Sequence, residues 1–507
     1  MSLDSKWAAL LAVGAIVLIY PRVRKTSGPP LPPGPRPLPL IGNVLDIPSQ
    51  DHWIKFTQLA DVWGDIFSLT AFGQTMVIVN SLKIAEDFLD VRGANFSDRP
   101  IIPMGGELMG FNNVLSISQY GDRVRTERKL FHQLFGTRVS ILNQFGTLIE
   151  SEIKQLLRNV GQNEDDVVGQ ISRFTGGLTL RIAYGYHLVE PPQIDPFLHM
   201  FDTAGHNYAS ASKPAAFLVD ILPTLRYWPA WLPGGGFHTI ARAWRKQLFD
   251  TTDMGYEYVK KQMAAGPPEP SFVSTSLDEG VHDEYLIKWA AISIQAGGAD
   301  TSSSQIEGFL LAMALHPEIQ RTAQKELDAV VGPDRLPDIN DRASLPYVDA
   351  LCKEVLRWHV VTPTGIPHRA REDFVYERGE GLSPLMIPKG ALVIPNIWKM
   401  THDANHYTRP MEFDPTRFLS HDGKKAETDP TRMCFGFGRR ICPGKLLADT
   451  TLFLTCSAIL SVFDISFLEP SSGSDHIGQT SGTVSHPLPF KCRAVPRSTQ
   501  AKALVRG

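Results

Sequence analysis

A chain of 507 residues with 43% hydrophobic and 20% charged side chains is long enough for a large core and ordinary for a globular protein. Its formal net charge of −3 excludes the basic surplus of a nucleic-acid binder. The five cysteines, Cys352, Cys434, Cys442, Cys456 and Cys492, are odd in number and unpatterned, which excludes a disulfide framework and points to a reducing compartment.

The first apolar run, Trp7 to Tyr20, carries no charge. By length it lies between a signal-peptide core and a spanning helix. No polar stretch with a small-residue cleavage site follows it. Arg22, Arg24 and Lys25 come at once, which favours a retained anchor over a cleaved signal and keeps the following chain in the cytosol. The run Gly28-Pro29-Pro30-Leu31-Pro32-Pro33-Gly34-Pro35-Arg36-Pro37 then forms a stiff, extended spacer of the polyproline kind. The expected organisation is a transmembrane signal-anchor over residues 1–20, a basic and proline-rich hinge over 21–50 and one folded domain over 51–507, without an internal repeat.

Ile66–Phe72, Gly73-Gln74 and Thr75–Val79 spell a β-hairpin. Ser81 is placed to cap a helix with Ile84, Ala85, Phe88 and Leu89 on one face. From Pro100 to Ser118 the periodicity is weak, and a loop is expected. Tyr120 to Lys129 opens a basic helix, in which Arg123 and Arg125 suit a solvated face. Trp228 and Trp231, set between prolines, cannot sit in a regular helix. They suit either a membrane interface or a loop packed on the core.

Leu286 to Leu315 is the longest helical pattern, yet Gly297-Gly298 lies in its middle. Two glycines there cost roughly 2 kcal/mol relative to alanine. They permit close approach of a flat ligand and a local opening of the helix. Asp300 and Thr301 then place a carboxylate and a hydroxyl at the opening, a pair suited to relaying protons. Further on, Glu354 and Arg357 stand at i and i+3, on a helix whose buried face is Val348, Leu351, Cys352, Val355 and Leu356. Strand patterns follow at Met386–Pro388 and Ala391–Ile394. His402 and His406 have the i, i+4 spacing of a zinc pair. Asp403 stands where a zinc protease needs glutamate, and no long apolar helix surrounds them, so a metal site is not expected.

The stretch Phe435-Gly436-Phe437-Gly438-Arg439-Arg440-Ile441-Cys442-Pro443-Gly444 is built around one sulfur. Glycines let the backbone turn tightly around Cys442, and Pro443 suits the first position of a helix that continues to Leu460. A helix N-terminus, with Arg439 and Arg440 beside it, favours thiolate over thiol. A single thiolate on a rigid loop suits an axial haem ligand, which pushes electron density onto iron and favours O–O cleavage.

The spacing F-x-x-G-x-R-x-C-x-G, met at Phe435, Gly438, Arg440, Cys442 and Gly444, resembles the haem-binding signature of the cytochrome P-450 family. Gly297 to Ser302 is similar to that family's A/G-G-x-D/E-T-T. Glu354 and Arg357 match its E-x-x-R, completed by Arg417 in Asp414-Pro415-Thr416-Arg417-Phe418, where Thr416 replaces a common glutamate. The resemblance spans Pro32 to Arg497. It implies haem b (iron protoporphyrin IX) held by Cys442, with Phe435, Gly438, Arg440, Arg128 and His368 around it. Asp300 and Thr301 would be catalytic, and Glu354, Arg357 and Arg417 a structural clamp. Arg128 and His368 would lie near haem propionates, although a solvated His368-Arg369 pair is an alternative. Val124 stands where the family usually has tryptophan, so one propionate contact is lost or replaced. The segment 100–118 would cover the substrate pocket, and the Trp228–Trp231 region would dip into the bilayer.

The implied fold is mostly α with a small β portion, the cytochrome P-450 fold. The implied activity is a membrane-anchored monooxygenase inserting one oxygen atom from O2 into a small hydrophobic substrate. The likeness is greatest to fungal microsomal members of secondary metabolism, acting on terpenoids, alkaloids or polyketides. Electrons would come from NADPH through a separate NADPH–cytochrome P-450 reductase, since no flavin or nicotinamide segment is present. The place would be the endoplasmic reticulum membrane, single-pass, with the catalytic domain cytosolic and no nucleic-acid partner. Two alternatives are an O2-independent isomerase or dehydratase of the same fold, and a non-enzymatic haem or sterol-binding membrane protein.

Overall fold

The first hairpin turns at Phe72-Gly73, one residue before the expected Gly73-Gln74, and φ of 48° and 84° gives it the primed geometry that matches strand twist. The computed structural model describes residues 28–48, 50–190, 193–213, 216–420, 423, 425–468 and 478–506. The expected anchor, Trp7 to Tyr20, lies outside the described residues, as do the basic residues after it.

Two compact units are distinguished. The first takes the described residues up to Pro100 together with Pro367–Asn396. Helix α1 (His52–Trp63) buries Trp53, Phe56 and Ala60 on one face. Strands β1 (Ile66–Ala71) and β2 (Gln74–Val79) pair antiparallel, with Ile66 opposite Val79. They join β3 (His368–Arg369) and β6 (Leu392–Pro395) in a sheet of order β1-β2-β6-β3, and β4 (Phe374–Tyr376) pairs with β5 (Leu385–Ile387). The proline-rich stretch is laid on this unit. Ser68 donates its N–H to Pro33 O (2.8 Å) and its hydroxyl to Pro32 O (2.7 Å), and Met386 N–H reaches Pro30 O (2.7 Å). Ser81 does precede a short helix, Leu82–Glu86, but its side chain makes no capping hydrogen bond.

The second unit takes Ile101–Ile366 and Ile397–Gly507. Its longer helices are α2 (Asp122–Phe135), α3 (Arg138–Gln162), α4 (Val167–Tyr184), α5 (Pro196–Ala211), α6 (Phe237–Ala265) and α7 (Phe272–Glu279). After these come α8 (Glu284–Leu315), α9 (Pro317–Val330), α10 (Pro346–Trp358), α11 (Lys445–Val462) and α12 (Thr499–Arg506), with β7 (Phe463–Phe467) paired antiparallel to β8 (Cys492–Pro496). Their starts are chemically marked. Thr137, Asp195 and Asp283 accept hydrogen bonds from the backbone three residues on, and Pro317 and Pro346 occupy first positions. The expected mostly helical architecture with a small β portion is therefore the one observed. Among the described residues only α11 is long and apolar enough to cross a membrane. It is 67% buried within the fold, as a helix apolar all round must be in a core.

Segment 100–118 departs from the expected loop. Pro103–Leu108 forms a wide helical turn with Pro103, Met104, Gly105 and Gly106 buried. Met104 N–H donates to Asp220 (2.8 Å), and Glu107 pairs with Arg226 (2.7 Å), so long-range contacts supply what periodicity lacked. Trp231 is 81% exposed and Trp228 43%, which removes the packed-core alternative for this pair.

Helix α8 runs along α4 through small residues. A Cβ on Gly298 would lie 2.8 Å from Thr179 Cγ2, and one on Gly308 would lie 2.6 Å from Cδ2 of buried His359. Gly308→Ala is expected to destabilise the protein by about 1–3 kcal/mol, the usual penalty for overpacking, as read by denaturant unfolding. An unchanged midpoint would mean that His359 yields freely.

Candidate active site

The loop before α11 turns through Gly436 and Gly438, at φ of 73° and 49°, conformations that favour glycine. It closes where Cys442 donates its N–H to Phe435 O at 2.8 Å. Lys445 Nζ lies over the Phe435 ring at 5.7 Å. Pro443 stays in the turn and the helix begins at Lys445, two residues later than expected. Cys442 is the one exposed cysteine of the five. It retains accessible surface, yet enough protein surrounds it that desolvation pushes its thiol up, with the Gly444 N–H, Arg128 and Lys445 pulling the other way.

The cations expected beside the sulfur are thus corrected. Arg440 is buried and donates to Ser118 O (2.6 Å) and Leu115 O (3.4 Å), because the end of segment 101–118 brings bare carbonyls to it. Arg439 and Arg440 both lie over the Tyr120 ring. Arg128 on α2 takes the place near the thiol and donates to Ile441 O at 2.8 Å. Val124, one turn earlier, is buried in the core. Arg123 is not a solvated side chain. It donates to Asn113 O (2.7 Å) and to Glu127 (2.9 Å), whereas Arg125 is exposed and paired with Asp122. Glu127, which sequence reasoning passed over, is buried with Oε2 unpartnered, and desolvation pushes its carboxyl up to about 7.

Behind the loop, Glu354 and Arg357 are completely buried and form a two-pronged pair, both contacts at 2.7 Å. Arg417 Nε donates to the same carboxylate at 3.1 Å and its Nη1 to Glu427 at 2.8 Å. The spare N–H groups of Arg357 and Arg417 reach the carbonyls of Thr401, Thr408, Pro410 and Glu412. Cys434 donates to Leu356 O at 3.4 Å, tying the start of the cysteine loop to α10, and burial pushes its thiol up to about 12. Thr416 donates N–H and hydroxyl to Asp414, a local turn in place of the expected glutamate's role.

On α8, a Cβ at Gly297 would meet nothing within 4 Å, so this face can admit a flat group closely. The expected opening does not interrupt the helix, which is α-helical at every residue from Glu284 to Leu315. The Thr301 hydroxyl donates to Gly297 O (2.7 Å), keeping that carbonyl satisfied within the turn. Asp300 is 61% exposed and meets His486 Nε2 at 3.1 Å, a partner nearly two hundred residues away. His368 belongs to the other unit, where it is buried with Nδ1 2.6 Å from Phe96 O. His402 stacks on Trp398, and no group of three or more metal-ligating side chains occurs among the described residues.

The exposed thiol on a glycine loop with Arg128 beside it fits a haem-thiolate ligand, and the α8 face at Gly297 has room for a flat group. The comparisons agree. The family model described as Cytochrome P450 matches residues 32–494. The chain belongs to the cytochrome P450 family. It is 45% identical to cytochrome P450 monooxygenase 208 of Postia placenta, over 98% of this chain and 96% of that protein. Identity is 42% to cytochrome P450 monooxygenase claR of Ampulloclitocybe clavipes, covering 96% of this chain and 89% of that one. It is 38% to a tryptamine 4-monooxygenase of Psilocybe cyanescens, over 96% of each. This P450 is accordingly a monooxygenase, an oxidoreductase of the haem-thiolate kind that uses O2, a redox partner and an organic substrate.

Removing one member of the buried charge group leaves the others uncompensated. Glu354→Ala is expected to cost about 3–5 kcal/mol in denaturant unfolding and to lower the yield of folded protein. A loss below about 1 kcal/mol, the worth of an exposed pair, would show that water reaches these arginines.

Proposed function

We propose that this P450 is a membrane-anchored monooxygenase of fungal secondary metabolism acting on a small hydrophobic substrate. Cys442 holds the iron of haem b, and electrons come from NADPH through NADPH–cytochrome P450 reductase. The observation that carries the reading is Cys442 itself, the one exposed cysteine, on a loop closed by its own N–H. Bound haem supplies the activation of O2 for insertion of one oxygen atom. Phe435 and Gly438 shape the loop around the sulfur, Arg128 stabilises negative charge beside it, and Arg440 fixes the chain at Ser118. The clamp of Glu354, Arg357 and Arg417 holds the loop from behind. His368 is assigned to a haem propionate by family likeness. Support for a small-molecule substrate comes from the relative named as a tryptamine 4-monooxygenase. Support for membrane contact comes from Leu218, Leu222, Tyr227, Trp228 and Trp231, all exposed, and from the basic residues after Trp7–Tyr20. On this reading the catalytic unit faces the cytosol from the endoplasmic reticulum.

Asp300 and Thr301 deliver protons to the oxygen side of the site. Their adjacency on α8, with Gly297 leaving room beside them, favours O2 chemistry over an O2-independent isomerase.

Reduced protein with carbon monoxide is expected to show the red-shifted Soret band of thiolate ligation. Cys442→Ala should abolish it and Cys434→Ala keep it, because the Cys434 thiol is protonated and committed to Leu356 O. The reverse pattern would reassign the ligand. Thr301→Ala should leave haem content unchanged, since its hydroxyl only bonds back within the helix. Product per NADPH should fall about tenfold while hydrogen peroxide rises. Unchanged coupling would move the relay to Ser302 or to the substrate.

A further inference from the structure

His486 lies in a C-terminal segment that carries no motif, yet its imidazole bridges two carboxylates of α8. Nε2 is 3.1 Å from Asp300 Oδ1 and Nδ1 is 3.0 Å from Glu307 Oε2. Glu307 is buried, and its other oxygen accepts from buried Ser303 (2.8 Å), whose Oγ lies 3.0 Å from Ser172 on α4. Asp300 and Glu307 are seven residues apart, two helical turns, so both project on the face that meets this loop. Burial pulls the imidazole down, but the hydrogen bonds to Asp300 and Glu307 and their negative charge outweigh it and push His486 up to about 10.

The other titratable groups around this bridge are few. His359 is buried, and desolvation followed by repulsion from His486 pushes it down to about 3, so it stays neutral. Asp202 on α5 interacts with Asp300, with His206 and His199 beside it, and burial raises its carboxyl. The loop does not depend on the imidazole. Ser485 N–H donates to Val361 O (2.8 Å), Ser304 Oγ to Ser485 O (2.6 Å), Thr480 N–H to His486 O (2.7 Å) and His486 N–H to Thr480 Oγ1 (2.9 Å).

We propose that His486 is a positioning residue for proton delivery: its imidazole, held between Asp300 and Glu307, fixes where the Asp300 carboxylate sits on α8 and releases it when Asp300 carries a proton. The proposal rests on the reading of Asp300 and Thr301 as the proton-delivering pair. Only O–H bonds change: a solvent hydronium gives a proton to the Asp300 carboxylate and becomes water, Asp300 passes one proton to the Thr301 hydroxyl as that hydroxyl gives its own onward, and the carboxylate returns to the imidazole of His486. When Asp300 swings away, Glu307 keeps its contacts to His486 and Ser303, so the buried end of the bridge is never left without a partner. Glu307 is thus the fixed end of the bridge and exposed Asp300 the movable one.

The test uses the full chain with haem bound, reduced and carbon monoxide-saturated, with histidine side chains labelled for NMR. The signal lost in His486→Gln is expected to stay that of an imidazolium from about pH 6 to about pH 8.5, unlike an ordinary histidine, and to titrate at lower pH in Asp300→Asn. Titration near the ordinary value of about 6.5, or indifference to Asp300→Asn, overturns the bridge. In turnover with reductase, His486→Gln should lower product per NADPH about tenfold, with a changed pH profile, while His486→Lys restores most of it. Equal losses in both variants, with the carbon monoxide band and melting temperature intact, overturn the positioning role. Failure of the haem-thiolate reading looks different: wild type then lacks the shifted band, while the histidine titration still reports on the bridge.

Discussion

Everything around the cysteine loop leans on a group of charges in which Glu354, Arg357 and Arg417 are buried and Glu427 half-buried. Glu354 and Glu427 face Arg357 and Arg417, two anions against two cations, with Arg417 shared between both carboxylates. Such a group is weak evidence for stability, since charges taken from water lose their hydration. Its effect is on specificity. Two guanidinium groups with fixed forks need every N–H satisfied, and the carbonyls of Thr401, Thr408, Pro410 and Glu412 supply the acceptors. The backbone from Thr401 to Arg417 therefore has little freedom, and the loop that Cys434 ties to Leu356 inherits that rigidity.

The thiol environment of Cys442 shows burial and charge working against each other. Desolvation works against a thiolate at Cys442, and the Gly444 N–H, Arg128 and Lys445 only partly offset it. Helix-end and arginine arguments from sequence overstate the protein's share, because they count favourable charge and leave out burial. On the proposed reading the bound metal would deprotonate the thiol outright, and the loop would have only to present the sulfur.

Local patterns were legible wherever a residue's role depends on near neighbours. The hairpin at Ile66–Val79, the span of α8, the buried face of α10 and the i, i+3 pairing of Glu354 with Arg357 all rest on spacing within a few turns. The cysteine loop belongs with these, since its glycines and Cys442 lie within ten residues. The helical turn at Pro103–Leu108 was missed because its support, Asp220 and Arg226, comes from more than a hundred residues away.

Side-chain partnering across the chain was not legible. Arg440 turned from the sulfur to Ser118, Arg123 left solvent for Glu127 and Asn113, and Asp300 acquired His486. In each case a polar group had several chemically equivalent partners in sequence. Burial then decided, because an unpaired polar atom costs far more inside than at the surface. The sequence by itself determined most of the elements and the family to which the chain belongs, through short-range spacing and fixed backbone preferences. Only the tertiary structure decided which charges meet, because that depends on which groups packing removes from water.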